Sequence, residues 1–396
     1  LVIYGSFRNN KTIKFSSKDS ILNKDTTSLF STGFIVRYDS SGTCINYTKV
    51  YEGKNILGNY SNVGHIDVWN KEVVIHIKTN ADSMRLLSKL SSIKILNNSG
   101  TNNVLMKYSY DFDTIRWYQQ INVGSLGDID MQTIRVYNGN IYFVGNYAGT
   151  ISFGKKTFKA TSDLPGLKGL FGVFDVNGKI LNAEQINKDS TQSDQLFDIS
   201  IKDSNNIFLV GWIRDSIYYG KNWYTSPGKK LSNPAYRSYP FFASVSFTKA
   251  NWVRMTYYKQ DNGFVGIERW GRCIHDEQKN LYASFVQFNK PIILGGLADS
   301  LPAFYGFVKL DSLGNALWIR RTDNYGIVTD FKTDRFGYFV YAGRYSDSIT
   351  LSPLKLKNKG QASFITQTYD YAIYRGNISK GPFCAGDTIK IPYTKK

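Results

Sequence analysis

The chain has 396 residues, with 49 Lys and Arg against 31 Asp and Glu for a net charge of +18, and it holds 28 Tyr, 25 Phe and 34 Gly but only 9 Pro. No apolar run approaches the roughly 20 residues a membrane-crossing helix needs, and no long stretch keeps a 3.6-residue period, which removes the helical classes and leaves a mostly β chain. Three cysteines, Cys44, Cys273 and Cys384, contain no Cys-x-x-Cys pair and point to neither a disulfide framework nor a zinc site.

In chain order, an apolar run opens six units near Leu1 (LVIYGSF), Val73 (VVIHIKTN), Ile141 (IYFVGNY), Ile207 (IFLVGWI), Leu281 (LYASFVQF) and Tyr338 (YFVYAGRY). Gly5, Gly145, Gly211 and Gly343 share one place in four of them. A short alternating run follows each, with Ile13, Ile93, Ile151, Ile217, Ile292 and Ile349 at one position in all six. Next comes an apolar run ending in a turn; Asp39, Asp175 and Asp311 open Asp-x-x-Gly turns there, in which the carboxylate can bond backbone amides and Gly supplies a positive φ. A strand that often carries Trp follows, as at Trp117, Trp252 and Trp318. A last run closes each unit, as in GHIDVWN or DISIKDSNN.

Self-similarity at this period predicts an all-β β-propeller of about six visible four-stranded blades over 1–376, each with one decorated loop. A single such sheet cannot bury both of its apolar faces, and stacking blades does so. The first unit opens at its second strand, so its innermost strand is expected upstream of Leu1, or a further blade is, and seven blades are allowed in a full protein.

The pattern of VxGxF, TIxFG, GFVxxYDSxGxxLW and a D-x-x-G-N turn resembles the β-propeller repeat of secreted and cell-surface proteins of the Bacteroidetes. The resemblance covers about 1–376; unit two, with no Gly at Lys78-Thr79, departs from it. It implies an extracellular or cell-surface location in a Gram-negative bacterium, in many members through type IX secretion, and no single activity. The tail GPFCAGDTIKIPYT from Gly381 resembles the opening strand of an Ig-like domain, so 377–396 reads as a linker and the first strand of a truncated second domain, in which Cys384 would pair with a cysteine further on. Asp-Ser or Asp-Thr followed by an aliphatic residue or Thr resembles the O-glycosylation acceptor of such exported proteins. The candidate acceptors are Ser20, Thr26, Thr114, Ser216, Ser300, Ser348 and Thr388, although the same dipeptide is ordinary turn chemistry.

Catalytic motifs are thin. No nucleophile elbow, P-loop or dinucleotide fingerprint occurs, and no cofactor is expected. His65, His76 and His275 lack metal-ligand spacing, so no metal site is expected, although His65 and His275 occupy similar places in their runs. Asp67, Asp198 and Asp330 fall in innermost strands and are the carboxylates a glycan-active enzyme would use; as structural groups they would bond neighbouring amides instead. Tyr218, Tyr219, Trp223 and Tyr224, with Lys221, Lys229 and Lys230, gather in the long loop of unit four and suit stacking on sugar rings beside anionic groups. The expected function is a non-catalytic propeller module of a longer exported protein, acting in adhesion, glycan binding or protein assembly through blade loops. Its expected partners are surface or secretion-machinery proteins or anionic glycans, not nucleic acid, since the lysines are spread along the chain.

Overall fold

A computed structural model describes residues 2–8, 12–22, 30–55, 63–79, 81–96, 102–123, 128–153, 156–160, 167–186, 194–213, 216–225, 239–258, 271–286, 292–295, 297–299, 305–322, 326–333, 339–351 and 354–368. The protein is all-β and of propeller type. It divides into two compact units, Leu1–Met255 and Thr256–Lys396.

The first unit holds four blades. Blade 2 runs Val63–Trp69, Glu72–Thr79, Asn102–Ser109 and Ile115–Gln120. Blade 3 runs Asp128–Tyr137, Asn140–Ala148, Lys168–Phe174 and Ile180–Gln185. Blade 4 runs Asp194–Asp203, Asn206–Ile213, Tyr239–Val245 and Ala250–Met255. Each is a four-stranded antiparallel meander whose strand order in the sheet is its order in the chain. Blade 1 has Val2–Arg8, Phe30–Tyr38 and Cys44–Asn55, and borrows Ala81–Leu87 and Ser92–Leu96 to make five strands. In the second unit, Gly271–His275, Leu281–Val286, Tyr305–Leu310 and Ala316–Thr322 form a four-stranded sheet, and Gly326–Thr333, Phe339–Leu351 and Leu354–Thr368 a three-stranded one.

Blades 2 and 3 bury both faces because a neighbouring blade covers each one. Ile35 and Val50 of blade 1 pack with Val73, Ile75 and Met106 of blade 2. On the opposite face of blade 2, Val74 and Leu105 meet Ile129, Met131 and Phe143 of blade 3. The other side of blade 3 gives Val144 and Phe171 to Leu196, Ile199 and Leu209 of blade 4. The Asp-x-x-Gly sequences are hairpin turns, as expected. Asp175 Oδ1 accepts from the amides of Asn177 and Lys179 at 2.9 and 2.8 Å, with Gly178 at φ 81°. The two-residue turn Asn138-Gly139, with φ 49° and 80°, has the left-handed pair that strand twist favours in a tight hairpin.

The repeated glycine has a specific cause. In blades 3 and 4 the inner strand bulges where it passes Gly145 and Gly211: Met131 faces Gly145 while Thr133 faces the next residue, and Leu196 and Asp198 do the same across Gly211 and Val210. The third inner strand bulges likewise opposite Gly343. The bulged backbone leaves no room for a side chain, for a Cβ on Gly211 would overlap the Gln195 carbonyl oxygen. Where the repeat lacks this glycine the bulge is absent too, and the glycine sits on the partner strand instead, as Ile77 opposite Gly64 and Phe285 opposite Gly271.

The short alternating runs form hairpins between second and third strands, and several pair with the preceding blade. Leu86 to Ala81 align with Tyr51 to Asn55 on the outer edge of blade 1. Thr150–Phe153 pairs with Asn122–Val123, the continuation of blade 2. Ile292–Leu294 pairs with Tyr257–Tyr258 in the second unit. The recurring isoleucine is the inward anchor of these hairpins: Ile151 and Ile217 are buried, and Ile13 and Ile93 pack partly buried against their clusters.

Candidate functional site

The hairpin of unit four, Ser216–Tyr219 and Asn222–Thr225, turns through Gly220 and Lys221, both at positive φ. Strand alternation sends Ile217 and Tyr219 inward and leaves Tyr218 and Trp223 facing out. Tyr219 belongs to the core: its ring lies 5.8 Å from Phe171, its hydroxyl donates to the Ser246 carbonyl, and burial pushes its phenol far up, the Glu184 charge adding to this. Tyr224 faces Ile217 across the hairpin and packs partly buried against the same cluster. Gly220 is pressed onto the backbone of Thr248 and Lys249, which fixes the hairpin tip.

Of the seven aromatic and basic candidates, five are described and three of these remain presented together. Tyr218 and Trp223 are a cross-strand pair with ring centroids 5.1 Å apart and planes at 46°, and Trp223 is 56% exposed. Lys221 is exposed in the adjoining turn. A tilted pair of rings with an ammonium at its end offers a stacking face and a charge within one residue's reach of each other. Lys229 and Lys230 lie outside the described residues.

Two of the inner-strand carboxylates, Asp67 and Asp198, are engaged between blades. Asp67 Oδ2 accepts from the Val136 amide of blade 3 at 2.6 Å, and its Oδ1 accepts from Val68 at 3.0 Å. Asp198 is buried and takes two hydrogen bonds from Arg135 Nη2 at 3.2 and 3.4 Å and one from the Ile199 amide at 2.9 Å. Register sets Asp67 apart from the other two. Asp198 and Asp330 follow the bulge at the same place, opposite Val210 and Ala342, whereas Asp67 lies opposite Val74, two residues further along its strand. His65 and His275 are not equivalent either: His65 stands opposite His76, their rings stacked at 6.2 Å, and His275 stands opposite Leu281 in the other unit. His76 is fully buried, which drives its imidazole down to about 3 and keeps it neutral.

Two polar links between blades escape sequence reading. Asn146 donates from Nδ2 to the Leu196 carbonyl and accepts from the Leu196 amide, at 2.9 and 2.7 Å. Lys168 and Asp194 are both fully buried, 3.5 Å apart, and burial raises the Asp194 carboxyl to about 8 although the Lys168 charge pulls it back. The sequence signal for the first was an Asn inside an apolar strand; nothing marked the second, because its partners stand on strands of different blades.

Among the candidate acceptors, Ser20 is exposed at the edge of its hairpin. Thr114 is half-buried with its amide bonded to Ser109 Oγ, and Ser216 is half-buried at the base of the unit-four hairpin. Ser348 lies in Phe339–Leu351 opposite Lys357. Thr26, Ser300 and Thr388 lie outside the described residues, as do Cys384 and the whole of 377–396. Among the described residues no group of three or more His, Cys, Asp or Glu could hold a metal ion, and no helix is long and apolar enough to cross a membrane.

The fold and this hairpin surface define an all-β protein of propeller-type blades. No protein-family model matches the chain, and no curated protein sequence does. Among solved structures it is similar to a subtype N10 neuraminidase-like protein of A/little yellow-shouldered bat/Guatemala/060/2010, at 8% identity over 87% of this chain and 91% of that one, with a TM-score of 0.35. It is similar to a protein of unknown function from Bacteroides caccae at 12% identity, 73% and 89% coverage and a TM-score of 0.27. A quinohemoprotein alcohol dehydrogenase from Comamonas testosteroni is similar at 10% identity, 91% and 68% coverage and 0.36. Likeness of this degree transfers no residue, ligand or activity to this chain.

Proposed function

We propose that this chain is a non-catalytic binding module of an exported surface protein and that it holds carbohydrate on its outer hairpins. The observation that carries the reading is the Tyr218–Trp223 pair, two large aromatic faces left out of the core on a hairpin whose other face is fully committed to it. Exposed aromatic rings of this kind suit the apolar faces of sugars. The engagement of Asp67 and Asp198 in links between blades supports binding over hydrolysis, since a glycosidase needs two carboxyl groups free at a scissile bond. Export through a type IX route, modification at Asp-Ser/Thr sites and a following Ig-like domain belong to the same reading and rest on the resemblance of the repeat.

Titration of the purified chain against a panel of polysaccharides, by calorimetry, tests it. Trp223→Ala is expected to weaken binding by about 2 kcal/mol, roughly thirtyfold, the loss of one exposed aromatic anchor. Retention of full affinity by this variant, or hydrolysis of any polysaccharide in the panel, would contradict the reading.

A further inference from the structure

The net charge is not spread evenly over the fold. The described hairpins between second and third strands of the first unit, residues 12–22, 81–96, 150–153, 156–160 and 216–225, carry seven lysines and one arginine against two aspartates. That surplus of six, in well under a fifth of the chain, is a third of the total +18. The turns of the same unit that join first to second and third to fourth strands are balanced, with Asp39, Asp111, Asp113 and Asp175 against Lys71, Lys179 and Lys249.

Alternation explains which way the charges point. In each hairpin the recurring Ile turns toward the core; Lys14 and Lys94 follow it and turn out, Lys159 turns out next to Phe158, which faces Ile151, and Lys221 stands in the turn, so that all four are exposed. None of the four is in an ion pair among the described residues. The hairpins also succeed one another on the outer side of the unit. The first packs on Phe34 and Tyr47 of blade 1, the second pairs with the outer edge of blade 1, the third with the continuation of blade 2, and the fourth lies on the cluster between blades 3 and 4.

We propose that these hairpins form one basic outer rim that binds an extended acidic polysaccharide, the exposed rings of unit four gripping sugar and the lysines meeting its carboxylates or sulfates. The inference rests on the carbohydrate-binding reading above and names the class of carbohydrate. A polymer fits because the ammonium groups lie on successive hairpins, not in one pocket. A polysaccharide fits better than a nucleic acid because the outward groups are single-point ammonium charges, with one arginine, Arg85, to offer the forked pairing that phosphates favour.

The test is equilibrium binding of the full chain to alginate, to neutral dextran of matched length and to duplex DNA. Lys14→Glu, Lys94→Glu and Lys159→Glu are combined in one variant, with Lys221 left in place so that the aromatic site stays intact. Lys71→Glu and Lys179→Glu, combined in a second variant, make the same kind of charge change on turns away from the unit-four hairpin. The first variant is expected to lose about tenfold or more in alginate affinity and to flatten its salt dependence, and the second to change it less than twofold. Equal losses per reversed charge in the two variants would show a net-charge effect and overturn the rim. Dextran bound as well as alginate would overturn the acidic class while leaving the Trp223 site standing, and DNA bound more tightly with the same variant effects would overturn the polysaccharide. Lysine acetylation of the wild-type chain probes the same contacts without substitutions: alginate is expected to shield Lys14, Lys94 and Lys159 and to leave Lys71 and Lys179 reactive, and the reverse pattern would sink the proposal.

Discussion

Asp194 sits where a carboxylate is most costly, fully buried with Lys168 at 3.5 Å and with its Oδ2 lacking any hydrogen-bond partner. Burial raises its titration to about 8, against 3.8 for the ordinary group. Between these values the folded chain keeps a proton that the unfolded chain has released. The contribution of this group to stability is therefore whole below about pH 4 and is lost as pH rises through 8. The urea midpoint of the wild type is expected to fall between pH 5 and 9, and Asp194→Asn, neutral throughout, to flatten that fall; an unchanged pH profile would show that Asp194 is ionised in the fold. His76 acts with the opposite sign, since a fold that holds its imidazole down at about 3 loses stability as pH falls below 6.5. Neither position was legible beforehand. Asp194 and Lys168 meet because blades 3 and 4 pack together, and His76 looked like any histidine in an apolar strand, so their burial follows from packing that spacing does not encode.

At the scale of the element, the blade pattern was readable because strand alternation, Asp-x-x-Gly turns and the recurring Ile each have a local physical cause. The four-stranded sheets appear where the apolar runs placed them. What could not be read was partnership. The Thr-Ile-Ser-Phe run of unit three carries nothing to say that it pairs with the end of blade 2, because pairing across blades depends on two segments meeting in space. The repeated glycine was visible as a pattern without a reason, and register supplies one: it faces a bulge. Gly211→Ala must push a Cβ into the Gln195 carbonyl and is expected to destabilise the protein by about 3 kcal/mol, read from chemical unfolding. Gly42→Ala, with open space around it and φ of 81°, should cost only about 1 kcal/mol. Equal costs would mean that the bulge relaxes, and the glycine would then owe its recurrence to something else.

For the whole molecule, composition recorded a charge of +18 without its place, and the lysines looked dispersed because the hairpins that carry them are dispersed along the chain. Folding gathers what the sequence scatters. The same step divided the aromatic cluster of unit four, since alternation within a four-residue strand sends Tyr219 into the core and leaves Tyr218 beside Trp223 outside. That division was open to sequence reasoning, because a period of two holds in the loop's own short strands as it does in the blades. Hydrogen exchange on the full chain, with and without saturating alginate, tests the outer hairpins as the binding surface most directly. Peptides spanning 81–96, 150–160 and 216–225 are expected to gain protection while those spanning the turns at 39–43 and 175–179 do not change. Protection centred on the inner strands at 63–69 and 194–203, with the hairpins unchanged, would contradict the account and return attention to the carboxylates those strands carry.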